Sequence, residues 1–204
     1  MGLVKTVTEK PWERKGVIGG MVPEGTFATE AERVALTFFL VIATVVFSLF
    51  MVSYYLRMEL PDWEPLSEPA QLWFNTGLLI ASSVLFQWSR NIVVRGHTQN
   101  LYTSFFGAGV LAILFIVAQM VTWNHLQAGG FYLTSNPAIA FYYLLTGLHA
   151  LHLIGGLWVW SKCAIRLISG GEPKEVRLSI QLCTIYWHFL LLVWIVLFAI
   201  LANT

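Results

Sequence analysis

Five blocks of about twenty apolar residues, separated by short polar segments, constrain this chain more than any other feature. They run over residues 34–56, 70–89, 102–123, 137–161 and 178–202. A helix needs about 20 residues to cross ~30 Å of hydrocarbon, so blocks of this length read as spanning helices. Composition agrees: 57% of residues are hydrophobic and 11% charged, where a soluble domain has about 25% charged. The expected fold class is all-α, a polytopic membrane bundle of five transmembrane helices over residues 34–204. A polar N-terminal arm, residues 1–33, precedes it.

The arm holds Pro11, Gly16, Gly19, Gly20, Pro23 and Gly25. Breakers this closely spaced predict either an irregular arm over residues 1–28, lying on the membrane surface or on a partner subunit, or a disordered tail. Thr29-Glu30-Ala31-Glu32 then fits a capping box that starts the first helix. Pro69 and Pro137 sit where a first helical turn tolerates proline. Trp63, Trp73, Trp88, Trp123, Trp158 and Trp160 fall near block ends, as interfacial anchors do. The first 33 residues carry five basic and five acidic residues, with neither a signal-peptide nor a transit-peptide pattern. A bacterial cytoplasmic (inner) membrane is the simplest expected location.

Charge orients the bundle. Eleven of the twelve basic residues lie before block 1, between blocks 2 and 3, or between blocks 4 and 5. Arg57 alone lies on the other side. The positive-inside rule therefore predicts a cytoplasmic N-terminus and an external C-terminus. The first external loop combines Arg57 with Glu59, Asp62, Glu64 and Glu68. No Asp, Glu, Lys or Arg falls deep within any block, which disfavours an ion-coupled transporter with a path of its own. A net charge of +1 with no basic stripe gives no nucleic-acid site. Cys163 and Cys183 form neither a CxxC nor a disulfide framework.

Chemistry-bearing side chains concentrate in the last two blocks. Residues 142–160 read YYLLTGLHALHLIGGLWVW, placing His149, His152, Gly155 and Gly156 near the middle of a span. Histidines in hydrocarbon are costly and face protein or a polar cavity, while glycines admit close approach by another helix or a lipid chain. Block 5 carries Tyr186-Trp187-His188-Phe189 and then Trp194. One reading makes a single-haem cytochrome, with His188 and one of the block 4 pair as opposite axial ligands. The other has each imidazole hydrogen-bonded to a neighbouring helix or a lipid head group. Asn75, Thr76, Ser82, Ser83 and Gln87 in block 2, with Gln119 and Thr122 in block 3, suit interhelical hydrogen bonds. No nucleophile–base pair, phosphate loop or metal cage is present, so no active site is expected in this chain.

GLHALH at residues 147–152, followed by YWHF at 186–189 and by Trp194, resembles subunit III of the haem–copper respiratory oxidases. That family carries a Gly-x-His-Gly-Leu-His type stretch in its penultimate span and Tyr-Trp-His-Phe in its last. Asn75-Thr76 with Leu79, Ala81 and Ser82, and Gln119, extend the resemblance to residues 34–202. It implies a shorter, five-span form of a non-catalytic accessory subunit of a cytochrome c or quinol oxidase. In that family subunit III holds no haem or copper, which belong to partner subunits, packs with subunits I and II, and binds phospholipid. Asn75, Gln119, His149, His152, Gly155, Gly156, Tyr186, Trp187, His188 and Trp194 would then be structural, lipid or subunit contacts. Thr44, Thr122 and Leu191 stand where family members commonly carry acidic residues, which points to a structural and lipid-organising role rather than proton handling. An accessory subunit of a nitric oxide reductase is the related alternative.

Overall fold

The computed structural model describes residues 31–64, 70–96, 100–170 and 173–202. Five helices account for nearly all of them: α1 (Ala31–Met58), α2 (Gln71–Val94), α3 (Leu101–Ala128), α4 (Pro137–Ile168) and α5 (Pro173–Ala202). All five are long and apolar enough to cross a membrane. The chain divides into two units, Met1–Ala35 and Leu36–Thr204. Only the first helical turn, residues 31–35, is described in the first unit. The irregular arm, Thr29 of the capping box and Pro69 lie outside the described residues.

The helices start and stop for local reasons. At the end of α3, Gly130 takes a φ of +86°. The Phe131 amide then reaches the Leu126 carbonyl and the Gly130 amide reaches Gln127, each at 3.0 Å. This is a Schellman cap, which satisfies carbonyls that would otherwise be orphaned. Asn136 caps α4 by accepting from the Ala138 amide at 2.9 Å, with Pro137 in the first turn. Helix α4 overruns its expected end at 161 by two turns, because no breaker appears until Ser169 and Gly170, where φ is +68°. Hydropathy falls at Ser161-Lys162, but the helix itself does not need to stop there.

Four helices close into a ring in which α2 neighbours α3 and α5, and α4 neighbours α3 and α5. Cross-links fix the directions. Ser89 pairs with Ser104 and Asn75 with Gln119, so α2 and α3 are antiparallel. Thr184 donates to the Phe86 carbonyl and Trp194 to Thr76, so α5 is antiparallel to α2. Phe86, Phe105, Phe115, Leu145, Leu153, Trp187, Leu190 and Trp194 fill the centre.

Two glycines set how closely this ring packs. A Cβ at Gly156 would stand 2.8 Å from both the Trp187 and Tyr186 rings, and one at Gly109 would collide with the Trp160 indole. Trp160 is therefore an inward residue, donating to the Phe105 carbonyl at 3.2 Å, not the interfacial anchor its sequence position suggests. Trp123 also turns inward, donating to Thr146 at 3.2 Å. Trp63 packs edge-on to Tyr54. Trp73, Trp88 and Trp158 remain exposed as anchors should.

Candidate functional site

The spans bring together three groups of polar side chains rather than one reactive centre. The first lies between α2, α3 and α4. Asn75 Nδ2 donates to Gln119 Oε1 at 2.9 Å and to the Thr122 hydroxyl at 3.4 Å. Gln119 Nε2 donates in turn to the Tyr142 hydroxyl at 3.1 Å. All four residues are buried. Hydrogen bonds of this kind between membrane helices are worth about 0.6 kcal/mol on average and up to about 2. Tyr142 completes a three-helix link that sequence alone did not single out. Tyr142 is the sixth residue of the helix that Asn136 caps, and only the packing of α4 on α3 brings it to Gln119.

The second group surrounds His149. This imidazole is fully buried, and neither ring nitrogen has a hydrogen-bond partner among the described residues. The expectation that it bonds to a neighbouring helix is therefore not met. Rings enclose it instead: Trp194 lies 5.2 Å away at a 34° tilt, while Phe115 and Phe47 stand edge-on at 6.1 and 6.5 Å. Trp194 Nε1 is engaged elsewhere, donating to the Thr76 hydroxyl at 2.9 Å. One turn along α4, His152 is half-buried between Phe39 and Phe47, with ring centroids at 6.0 and 5.2 Å. Its Nδ1–H donates to the Leu148 carbonyl at 2.8 Å, and its own carbonyl accepts from the Tyr186 hydroxyl at 2.8 Å.

The third group centres on His188. Its Nε2–H donates to Gln87 Oε1 at 2.9 Å, and its Nδ1 accepts from the Ser83 hydroxyl. The Gln87 orientation is fixed by its Nε2, which donates to Asn91 Oδ1 at 3.1 Å. Both nitrogens of His188 are thus committed to α2. His149, by contrast, faces the ring interior among Phe47, Phe115 and Trp194. With both ring nitrogens of His188 in hydrogen bonds to α2 side chains, neither is free in this arrangement to ligate a haem iron.

The remaining expected contacts separate cleanly. Gly156 lies under Tyr186 and Trp187, with Trp187 also 4.5 Å from the Phe86 ring. Gly155 has no atom within 4 Å of where a Cβ would stand and faces outward. Cys163 and Cys183 are buried free thiols. The residues missed by sequence reasoning are Phe39, Phe47 and Tyr54, which carry α1 onto the histidine pair and Phe141. Their seven- and eight-residue spacing marks one face of a helix, but α1 is apolar all round, so that face did not stand out.

Outside the membrane, Arg57 and Asp62 form an ion pair at the start of the first loop. The Arg57 hydrogen bond holds the Asp62 carboxyl below its usual range. Asn136 Nδ2 donates to the Glu64 carbonyl at 2.7 Å, stitching the same loop to the start of α4.

Comparison with known proteins agrees with this architecture. The profile of the family described as "Cytochrome c oxidase subunit III" matches residues 25–202. The chain is 30% identical over 166 residues to a cytochrome c oxidase subunit 3 of Synechocystis, covering 78% of this chain and 70% of that one. It is 31% identical over 144 residues to a probable cytochrome c oxidase subunit 3 of Nocardia farcinica, covering 68% and 70%. A match to the Cyanidium caldarium protein of the same name is 27% identical and spans 45% of that protein's length.

Proposed function

The chain belongs to the cytochrome c oxidase subunit III family, and on that premise we propose that it is a non-catalytic accessory subunit of a haem–copper terminal oxidase. The observation that carries the reading is the family match across all five spans, residues 25–202. The internal geometry supports it. The motif residues His152 and Tyr186, with Gly156, are spent on helix packing, and His188 on α2.

In this reading the complex reduces O₂ to water while translocating protons, and this multi-pass membrane subunit supplies scaffold. Haem and copper reside in partner subunits. Subunit I is the main packing partner, with subunit II in the same complex, and phospholipid fills its outer grooves. The membrane in this reading is a bacterial inner membrane, and the distribution of basic residues supports a cytoplasmic N-terminus and an external C-terminus. A direct role in proton delivery is disfavoured. Thr44 is exposed on α1 with its hydroxyl tied to the Leu40 carbonyl at 2.7 Å. The Thr122 hydroxyl is tied to the Ala118 carbonyl at 2.9 Å while accepting from Asn75.

The test is to solubilise native membranes gently, capture this chain, and record the visible spectrum and subunit list of what accompanies it. Haem absorbance and a large polytopic partner are expected with the chain, and both should leave when it is stripped away. A chain that comes alone and colourless overturns the reading.

A further inference from the structure

Two side chains from opposite corners of the four-helix ring bring polar atoms into its core that no described residue meets. Asn75 on α2 is 1% exposed and His149 on α4 is 0% exposed. Asn75 Oδ1 and both ring nitrogens of His149 have no hydrogen-bond partner among the described residues. A neutral imidazole carries one donor and one acceptor, and a carboxamide oxygen is an acceptor. Buried groups of this kind are costly to leave unmet, and in folded proteins an ordered internal water commonly meets them.

Both side chains lie at one level of the ring, between the same two flanks. On the α5 flank, Trp194 packs on His149 at 5.2 Å and donates to Thr76, the residue after Asn75. On the α3 flank, Phe115 stands 6.1 Å from His149 and one helical turn from Gln119, which accepts from Asn75. Because α2 and α4 are not neighbours in the ring, side chains alone fill the gap between these corners. The imidazole is loosely enclosed there: Phe115 and Phe47 stand off at 6.1 and 6.5 Å, whereas Phe115 and Trp194 close to 4.9 Å of each other. The surroundings select the ligand. Asn75, Gln119, Thr122 and Tyr142 are neutral hydrogen-bonding groups, and no cluster of three His, Cys, Asp or Glu side chains that could hold a metal ion occurs among the described residues. A small neutral molecule that both donates and accepts fits this setting, and water is that molecule. Asn75 is the fifth residue of α2, so the network begins about one turn from the end of that helix.

We propose that an ordered internal water occupies the core between α2 and α4, donating to Asn75 Oδ1 and to the unprotonated ring nitrogen of His149. This water extends the Asn75–Gln119–Tyr142 chain of hydrogen bonds to His149 and joins two helices that are not neighbours. The site lies wholly within this chain and stands whether or not the chain belongs to an oxidase complex.

The test uses the full chain, purified in whatever complex it forms and equilibrated in isotopically labelled water. A pulse of X-rays turns ordered internal water into hydroxyl radical, which oxidises the nearest side chain and leaves its label there, read by peptide mapping. Phe115 and Phe105 are matched reporters, both on α3 and both 0% exposed, with only Phe115 beside His149. Label is expected on Phe115 and not on Phe105, and His149→Phe should bring Phe115 down to the Phe105 level. Asn75→Leu, which keeps the imidazole, should lower the Phe115 label as well. Equal labelling of the two rings in the wild type overturns the proposal without recourse to a variant, and so does label that persists on Phe115 in both variants. As a second measurement, a density map fine enough to show ordered water should place one between Asn75 Oδ1 and His149. Rings packed against both groups with nothing between them, or a metal ion on His149, overturns the proposal.

Discussion

Helices α1 and α5 are nearly equal in apolarity, yet 11% of the α1 span is buried within the chain against 44% of the α5 span. Among the described residues, large rings carry the contact of α1 with α4. Phe47 and Tyr54 are almost fully buried, while Phe38, Ile42, Leu49 and Leu56 on the opposite face are exposed. In α2–α5 the reverse holds: glycines under Trp160, Tyr186 and Trp187 draw backbones together, and polar side chains bond across the seams. Lipid tails are as apolar as leucine, so burial alone drives little association within a membrane. Close packing and hydrogen bonds hold the four-helix ring, whereas the contacts described for α1 are those of its rings. Equal apolarity therefore gives unequal attachment.

Substitutions can break that contrast, beginning with the largest effect. Trp194→Ala removes an indole that packs on His149 and Phe115 and bonds to Thr76. It should destabilise the ring by about 3–5 kcal/mol, as large-to-small core changes do, read as a lowered melting temperature in detergent. Gly109→Val places methyls where Trp160 lies; overpacking of this kind costs about 1–3 kcal/mol and should displace Trp160, visible in its fluorescence. Asn75→Leu severs α2 from Gln119 and should cost about 0.6–2 kcal/mol, checked by a double-mutant cycle with Gln119→Leu. Phe47→Ala sharpens the contrast from the other side. It should raise hydrogen exchange along α1 while leaving ring melting nearly unchanged, and a matching loss of ring stability would show that α1 is integral to it.

The smallest expected effect is at the Arg57–Asp62 pair. Because Arg57 lowers the folded-state pKa of Asp62, the pair's contribution is present above the ordinary carboxylate pKa of about 4. It is lost as pH falls through the lowered value. Proteolysis of the first loop should therefore be insensitive to pH near neutrality and rise only in strong acid, with Asp62→Asn showing the acid behaviour at every pH.

Span number and most of the polar contacts were legible in the sequence. Residue blocks of about twenty apolar positions fixed five helices, and Asn75, Gln119, Gly156, Tyr186 and His188 all make the interhelical contacts their types suggested. Helix ends were less legible, because hydropathy reports the hydrocarbon boundary whereas α4 stops only at Ser169-Gly170. His149 and Trp160 were misjudged for a related reason. Sequence gives a residue's depth along a span but not its direction, and direction put His149 among rings and Trp160 over Gly109. The α1 contact residues were invisible because a uniformly apolar helix has no periodicity to read.

Asn136 does two jobs at once, closing the first turn of α4 with its carbonyl oxygen and holding the Glu64 carbonyl with its amide. Together with the Tyr54–Trp63–Phe141 ring cluster, it pins α1 to the rest of the bundle near its Met58 end. Toward the other end, Phe39 only rests on the His152 and Tyr186 rings. Tyr54 and Phe39 lie fifteen residues, about 22 Å, apart along the rod, with Phe47 between them against both histidines, so one face of α1 lines the α4 histidine pair over most of its length.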